Sequence, residues 1–171
     1  MSSDALPLPL QLPIAQYRRF ESFKEYETLI DTLLEQTESV VRVFDHTLPA
    51  TWNGAQRTAQ LRQFLRRNPL NRLSIVLHNT DNLARTLPRL MDLSLDYGHA
   101  FKIRVSPKYA KHLYDPFVIF DASHYLHRFH YAHMRAAQGT HDVEAAQQLL
   151  DRHLELWEAS APVSTGSPGG L

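Results

Sequence analysis

Hydrophobic positions along the chain alternate between a helical and a strand period, and that alternation predicts the elements. Phe23, Tyr26, Ile30, Leu33 and Leu34 recur at helical spacing behind Ser22 and Glu25, a pair able to cap the first free N–H groups reciprocally, so a helix is expected to about Glu38. Residues 40–44, VVRVF, form a β-branched run of strand length, the kind buried on both faces. A polar loop over residues 45–54 leads to a second helix, with Asn53 as its expected cap and Thr58, Leu61, Phe64 and Leu65 as its apolar stripe, ended by Pro69. Residues 73–77 form the second strand. A third helical segment carries Leu83, Leu87, Leu90 and Met91, capped by Thr80 or Asp81, and Pro88 must kink or split it. Phe101, Ile103 and Val105 then alternate with Lys102 and Arg104, as in a strand with one wet face. Residues 117–120 and 124–131 read as two more strands, and Val143, Ala146, Leu150, Leu154 and Trp157 as the stripe of a last helix.

Strands that alternate with helices build βα units around a largely parallel sheet. The last two strands are separated by only two or three residues, too few for a crossover, so that pair is expected to be an antiparallel hairpin. The expected fold class is therefore α/β, a mixed but mostly parallel five-stranded sheet flanked by helices. Domain organisation follows from composition: a Pro- and Leu-rich extended arm over residues 1–18, one domain over residues 19–160, and a Gly-, Ser- and Pro-rich tail over residues 161–171.

Length and composition agree with one domain: 171 residues, 43% hydrophobic and 21% charged. The chain has no cysteine, which excludes disulfides, thiolate metal sites and a cysteine nucleophile together. The first residues lack the basic and apolar regions of a signal peptide, and no apolar stretch reaches the length of a membrane span. A cytoplasmic protein without a membrane partner is the expectation.

Net charge is zero but unevenly spread. Residues 46–141 hold thirteen Lys or Arg against five Asp, a net +8, and the flanks carry the matching −8. No acid lies between Asp45 and Asp81, a span that contains Arg57, Arg62, Arg66, Arg67 and Arg72. Two readings stay open: an anion-binding face, or basic helices neutralised by the acidic flanks packed across them.

Ligands of open α/β sheets sit outside the carboxyl ends of the strands. There the chain places Asp45, His46, Thr47, Trp52 and Asn53 after the first strand, and His78 and Asn79 after the second. The helix N-terminus after Asn53 offers free N–H groups to an anion. Asp45 and Asn53 are equally suited to turn and cap roles.

The segment Tyr114-Asp115-Pro116-Phe117-Val118-Ile119-Phe120-Asp121 resembles the signature of the phospholipase-D superfamily, H-x-K-x-x-x-x-D. Asp121 matches the aspartate, while Tyr114 and Pro116 stand at the histidine and lysine positions. The order of elements over residues 20–160 is similar to half of such a domain. VFDHTL, LSIVLH, LPRLMDL and LWEAS look like an uncharacterised bacterial group within it. The resemblance implies a phospholipase-D-like half-domain and, in members with intact motifs, phosphodiester chemistry. That chemistry runs through a histidine nucleophile and a phosphate-neutralising lysine, with two motifs facing one another by duplication or homodimerisation. Proline brings neither charge nor donor, and a phenol near pKa 10 is a poor nucleophile, so a degenerate, non-catalytic site is expected. Asp121 is then expected to be a turn carboxylate that receives backbone N–H groups.

His124, His127, His130 and His133 recur every third residue, with His112 upstream. On a strand they point alternately to opposite faces and on a helix they drift around the axis, so all four cannot converge on one metal ion. Trp157 is expected in the core, and Trp52 either under a helix or as a stacking platform. The reading that results is a domain binding an anionic ligand, nucleic acid or a phosphorylated small molecule, through Asp45, His46, Asn53, His78, Tyr114 and Asp121, with no cofactor and no metal. The alternatives are a hydrolase or phosphodiesterase that uses the histidine-rich segment, and a protein interaction module that forms a homodimer.

Overall fold

The computed structural model describes residues 4–7 and 11–163. The elements run β1 (Gln16–Phe20), α1 (Phe23–Gln36), β2 (Val40–Asp45), α2 (Ala55–Arg67), β3 (Arg72–Leu77), α3 (Leu83–Thr86), α4 (Pro88–Asp96), β4 (Phe101–Val105), β5 (Phe117–Phe120), β6 (His124–His130), β7 (His133–Thr140), α5 (Val143–Ala159) and β8 (Ala161–Pro162). One eight-stranded sheet has the order β1-β7-β6-β5-β2-β3-β4-β8. Only β2–β3 and β3–β4 are parallel, and every other pairing is antiparallel.

The α/β class, the open mixed sheet and the hairpin of β5 and β6 agree with the sequence reading. The count of five strands and the mostly parallel sheet do not: β1, β7 and β8 were missing, and all three add antiparallel pairings. β1 falls at the end of the expected arm and buries only Phe20, so no apolar alternation marks it. β7 carries Ala136, Ala137 and Gly139 where a strand signal would need branched or aromatic residues. The reason lies across the ladder. Gly139 pairs with Tyr125, and a Cβ at position 139 would sit 2.0 Å from the Tyr125 ring, so the aromatic covers the space the small residue leaves. Of the tail, residues 161–162 form β8, and residues 164–171 lie outside the described residues.

Helices cover both faces of the sheet. Val41, Val43, Leu73, Ile75 and Phe120 pack against Ile30, Leu34, Leu61, Phe64 and Leu90 from α1, α2 and α4. Phe44, Val76, Phe117 and Ile119 pack against Ala146, Leu149 and Leu156 of α5. Successive residues of β2 thus feed opposite layers, the outcome expected of an apolar run buried on both sides, each large side chain contributing roughly 2–3 kcal/mol. The stripe of α5 is turned relative to expectation. Val143 and Leu154 are exposed, Leu150 and Trp157 are half-buried, and His153 is buried in their place. Buried His153 hides the true stripe from a hydrophobicity pattern.

Caps fix the loops that carry the candidate residues. Ser22 Oγ accepts from Glu25 N at 3.2 Å, one half of the expected capping pair, while the Glu25 carboxylate pairs with Arg18 at 2.5 Å. Pro88 splits the third helical segment and opens α4. Asn53 does not cap α2, which starts at Gly54 without a side-chain cap. Its Oδ1 accepts instead from the backbone of Arg89 at 2.7 Å and Leu90 at 3.4 Å, because the 3-10 turn Ala50–Asn53 points it at the free N–H groups of α4. Neither Thr80 nor Asp81 caps α3; Asn82 does so in the left-handed conformation, with φ 62° and no side-chain bond.

Candidate functional site

The carboxyl ends of β2 and β3, the start of β5 and the turn between β6 and β7 meet at one end of the sheet. β5 runs antiparallel to β2, which returns Tyr114 to the end where His46 follows β2. Backbone bonds tie these pieces together: His78 N to Asp45 O, Asn79 N to His46 O, and Tyr131 N to Tyr114 O at 2.8 Å. Arg128, buried on β6 with its guanidinium over the Tyr26 ring, donates to Tyr131 O at 2.8 Å and so holds the β6–β7 turn.

The side chains at this end form a continuous set of rings. His46 stacks on Tyr131 with centroids 4.4 Å apart and planes 14° apart. His46 meets His78 edge-on at 5.9 Å, and His130 stacks on both Tyr131, at 4.9 Å, and Tyr114, at 5.3 Å. His133 extends the row from His130. Tyr114 and Tyr131 keep 49% and 37% of their surface exposed, so the set is a platform on the surface rather than a closed cleft.

His78 is the buried anchor of the platform. Its Nδ1 lies 2.5 Å from Ser106 Oγ and its Nε2 2.8 Å from Leu113 O, so the neutral ring donates from Nε2 to the carbonyl and accepts the hydroxyl proton at Nδ1. Burial holds its pKa below the usual histidine range, and the neighbouring Lys111 adds to this. Both nitrogens are spent on holding loops, which leaves none for chemistry. The Lys111 ammonium donates to His78 O and approaches Ser106 Oγ, which places a cation beside the His78 backbone, and partial burial lowers its pKa.

Of the residues singled out from sequence, His46, His78 and Tyr114 come together here. Asp45 shares the strand end but faces the α1 layer. It is 7% exposed, accepts from His46 N at 2.7 Å, and burial pushes its carboxyl up to about 7 against the opposing pull of that bond and of Arg128. Asn53 is committed to α4. Asp121 lies at the far end of the sheet, with φ 56°. Its Oδ1 accepts from Ser39 N and Val40 N at 2.8 and 3.1 Å, and its Oδ2 from Glu38 N at 3.0 Å. It pins the turn into β2.

The four spaced histidines have separate surroundings. His124 packs edge-on against His141, His127 bonds Asp115 at 2.8 Å, and His130 and His133 belong to the platform. Tyr131 was missed as a site residue because nothing marks residues 131–132 as a turn: no Gly or Pro interrupts the run. Trp52 is buried at 2% exposure with the Arg57 guanidinium over its ring, so it is no stacking platform. Arg57 itself pairs with Asp31 at 2.8 Å and Glu27 at 2.7 Å of acidic α1, so part of the basic middle is neutralised by the flank.

Comparison with solved structures shows that this open mixed sheet with its antiparallel hairpin is a phospholipase-D-like fold. The chain superposes on Nuc, a phospholipase D family member from Salmonella typhimurium, with TM-score 0.65 at 14% identity, over 87% of this chain and 98% of that one. NucT from Helicobacter pylori gives 0.60 at 9% identity, over 87% and 99%. TrmBL2, an archaeal chromatin protein described by its mode of DNA binding, gives 0.65 at 14% identity, over 91% of this chain and 57% of that one. Identities this low establish the fold alone. By sequence, the chain belongs to the family described as a domain of unknown function, DUF7931, which it matches over residues 23–165. No curated protein matches its sequence significantly.

Proposed function

We propose that this is a non-catalytic phospholipase-D-like domain that binds an anionic ligand, single-stranded nucleic acid first, on the ring platform at the carboxyl ends of β2 and β3. The stacked, half-exposed pair His46 and Tyr131, continued by His130 and Tyr114, carries the reading. The inner rings are stacked on one another, so a base of any sequence would extend the column at its half-exposed end, Tyr114, and Lys111 beside His78 supplies charge for a phosphate. Tyr114 and Pro116 stand at the histidine and lysine positions of the signature, and His78, the buried imidazole of the platform, has both nitrogens engaged. No nucleophile with an adjacent free base remains on the platform. A phospholipase D family member and a DNA-binding chromatin protein among the structural neighbours support the ligand class.

The test is fluorescence anisotropy of a labelled 20-nucleotide single strand at several salt concentrations. Binding should weaken steeply with salt through counterion release, and Tyr114→Ala, which removes the open end of the stack, or Tyr131→Ala, which breaks the stack behind it, should each weaken it about tenfold, the worth of one lost stacking contact. Absence of salt-sensitive binding to the strand overturns the reading. A rival hydrolase reading rests on the bond between His127 Nε2 and Asp115, though Arg152 also claims that carboxylate, at 2.5 Å. It requires turnover of a generic phosphodiester that His127→Ala abolishes. A homodimer through the exposed Tyr114, Phe129 and Tyr131 would instead double the mass in solution without any oligonucleotide binding.

A further inference from the structure

A cavity lies at the opposite end of the sheet, on the α5 side, and shares no residue with the platform. It encloses about 540 Å³ between the first residues of β2 and β3 and the face of α5, lined by Arg42, Arg72, Ser74, His153, Leu154 and Trp157 among others. The register explains the grouping. Arg42 pairs with Ser74 and Val40 with Arg72, so Arg42 and Arg72 lie diagonally on one face of two adjacent parallel strands.

Arg42 is the unusual member. It sits in the middle of a central strand, half-buried, and burial lowers its pKa. The other arginines that are not fully exposed all have partners: Arg57, Arg62 and Arg152 meet carboxylates, and Arg72, Arg104 and Arg128 meet carbonyl or hydroxyl oxygens. Among the described residues, Arg42 makes no side-chain hydrogen bond and no ion pair. Asp121, the acid whose charge acts on it, is saturated by three backbone N–H groups. Taking a guanidinium halfway out of water without a partner costs free energy that an anion in the cavity would return.

The rest of the lining fits a ligand with two ends. Arg72 spends one nitrogen on the carbonyls of Pro69 and Asn71, leaving the rest of its fork. Ser74 makes no side-chain hydrogen bond among the described residues. His153 donates to Val43 O and stays neutral, its pKa driven down to about 4 by burial and then by Arg42. The one acid of the lining, Asp151, is held by Gln147 at 2.8 Å. Leu70, Leu150, Leu154 and Trp157 make the other wall apolar. Two guanidiniums on one face suit the oxygens of a phosphate, which accepts bidentate bonds, and the leucines suit an apolar or ring-bearing body.

We infer that this cavity binds a small phosphate monoester, with the phosphate on Arg42 and Arg72 and the organic part against the α5 wall. The chain has two tryptophans, one buried at position 52 and one in the cavity at position 157, so 5-fluorotryptophan labelling gives one local reporter and one control. The probes are adenosine monophosphate and inorganic phosphate, followed by ¹⁹F NMR. The monoester should shift the Trp157 resonance saturably and leave Trp52 in place, binding at least about tenfold tighter than inorganic phosphate because the apolar wall takes part. Arg42→Gln should weaken binding about tenfold or more, with the Trp52 resonance unchanged as the sign of an intact fold. No saturable shift with either probe overturns the inference, and so does binding that survives Arg42→Gln. Equal affinity for the two probes overturns the assignment of the apolar wall. Oligonucleotide binding at the platform is unaffected by Arg42→Gln, so the two readings fail separately.

Discussion

Asp121 directly follows the β5 strand, and removing it separates a structural carboxylate from a chemical one. Its two oxygens accept three backbone N–H groups, from Glu38, Ser39 and Val40, at 2.8 to 3.1 Å, and its backbone is left-handed at φ 56°. In Asp121→Ala all three donors lose a charged acceptor. Glu38 and Ser39 are exposed, so water replaces much of theirs; with the cost of alanine in a left-handed turn, the loss is about 3 kcal/mol. Asp121→Asn keeps one oxygen, enough for Ser39 and Val40, and asparagine tolerates this conformation, so its loss is only about 1–2 kcal/mol. Urea unfolding followed by circular dichroism reads the difference: at a slope near 2 kcal/mol per molar, the midpoint falls by about 1.5 M for alanine and about 0.5–1 M for asparagine. Oligonucleotide affinity stays unchanged in both. An alanine variant as stable as the wild type, or an asparagine variant as damaged as alanine, refutes the account of this turn.

Gly139→Ala drives a methyl into the Tyr125 ring and should cost about 2–3 kcal/mol by thermal unfolding, with most of the loss recovered in the double variant Gly139→Ala, Tyr125→Ala relative to Tyr125→Ala alone. His78→Ala frees Ser106 and the Leu113 carbonyl and should destabilise by about 2–4 kcal/mol in urea, a loss that marks the ring as an anchor. Asp45 has a folded pKa raised to about 7, so its contribution to stability is complete below the unfolded carboxyl pKa and is lost as pH rises through about 7. Asp45→Asn should therefore flatten that slope and be more stable than the wild type at pH 8. His153 has the opposite sign: its folded pKa, lowered to about 4, gives stability that is complete above the unfolded histidine pKa and is lost as pH falls towards 4. His153→Leu should flatten the acid limb of a pH–stability curve.

The central βα units were legible because their strands are apolar runs and their helices carry clean stripes: VVRVF, LSIVL and the row Tyr26, Ile30, Leu33 leave little choice of element. β7 was not, because it is built to accommodate a neighbour. Ala136, Ala137 and Gly139 are small where Tyr125 and the α1 layer press on them, and no local signal records a partner across a ladder. β1 and β8 are edge strands with mostly exposed side chains, Phe20 excepted, so little in their pattern marks a strand. At the candidate site, the carboxyl ends of the central strands placed His46 and His78 at one end of the sheet, because those ends follow from the strands themselves, and Tyr114, noticed through the resemblance, lies beside them. The face was harder. Asp45 and His46 are neighbours in sequence yet face opposite layers, and Asn53 serves α4, whose start lies 35 residues further along. Tyr131 stayed hidden in an uninterrupted run until the tight turn between β6 and β7 showed where its ring lies.

The platform is tested most directly by histidine-selective NMR. In protein labelled at the imidazole carbons, a short single-stranded oligonucleotide should shift His46, His130 and His133 together and saturably. His124 and His141, packed against one another at the other end of β6, should stay put. Unmoved resonances at His46 and His130 under saturating strand, or shifts confined to His124 and His141, would contradict the account.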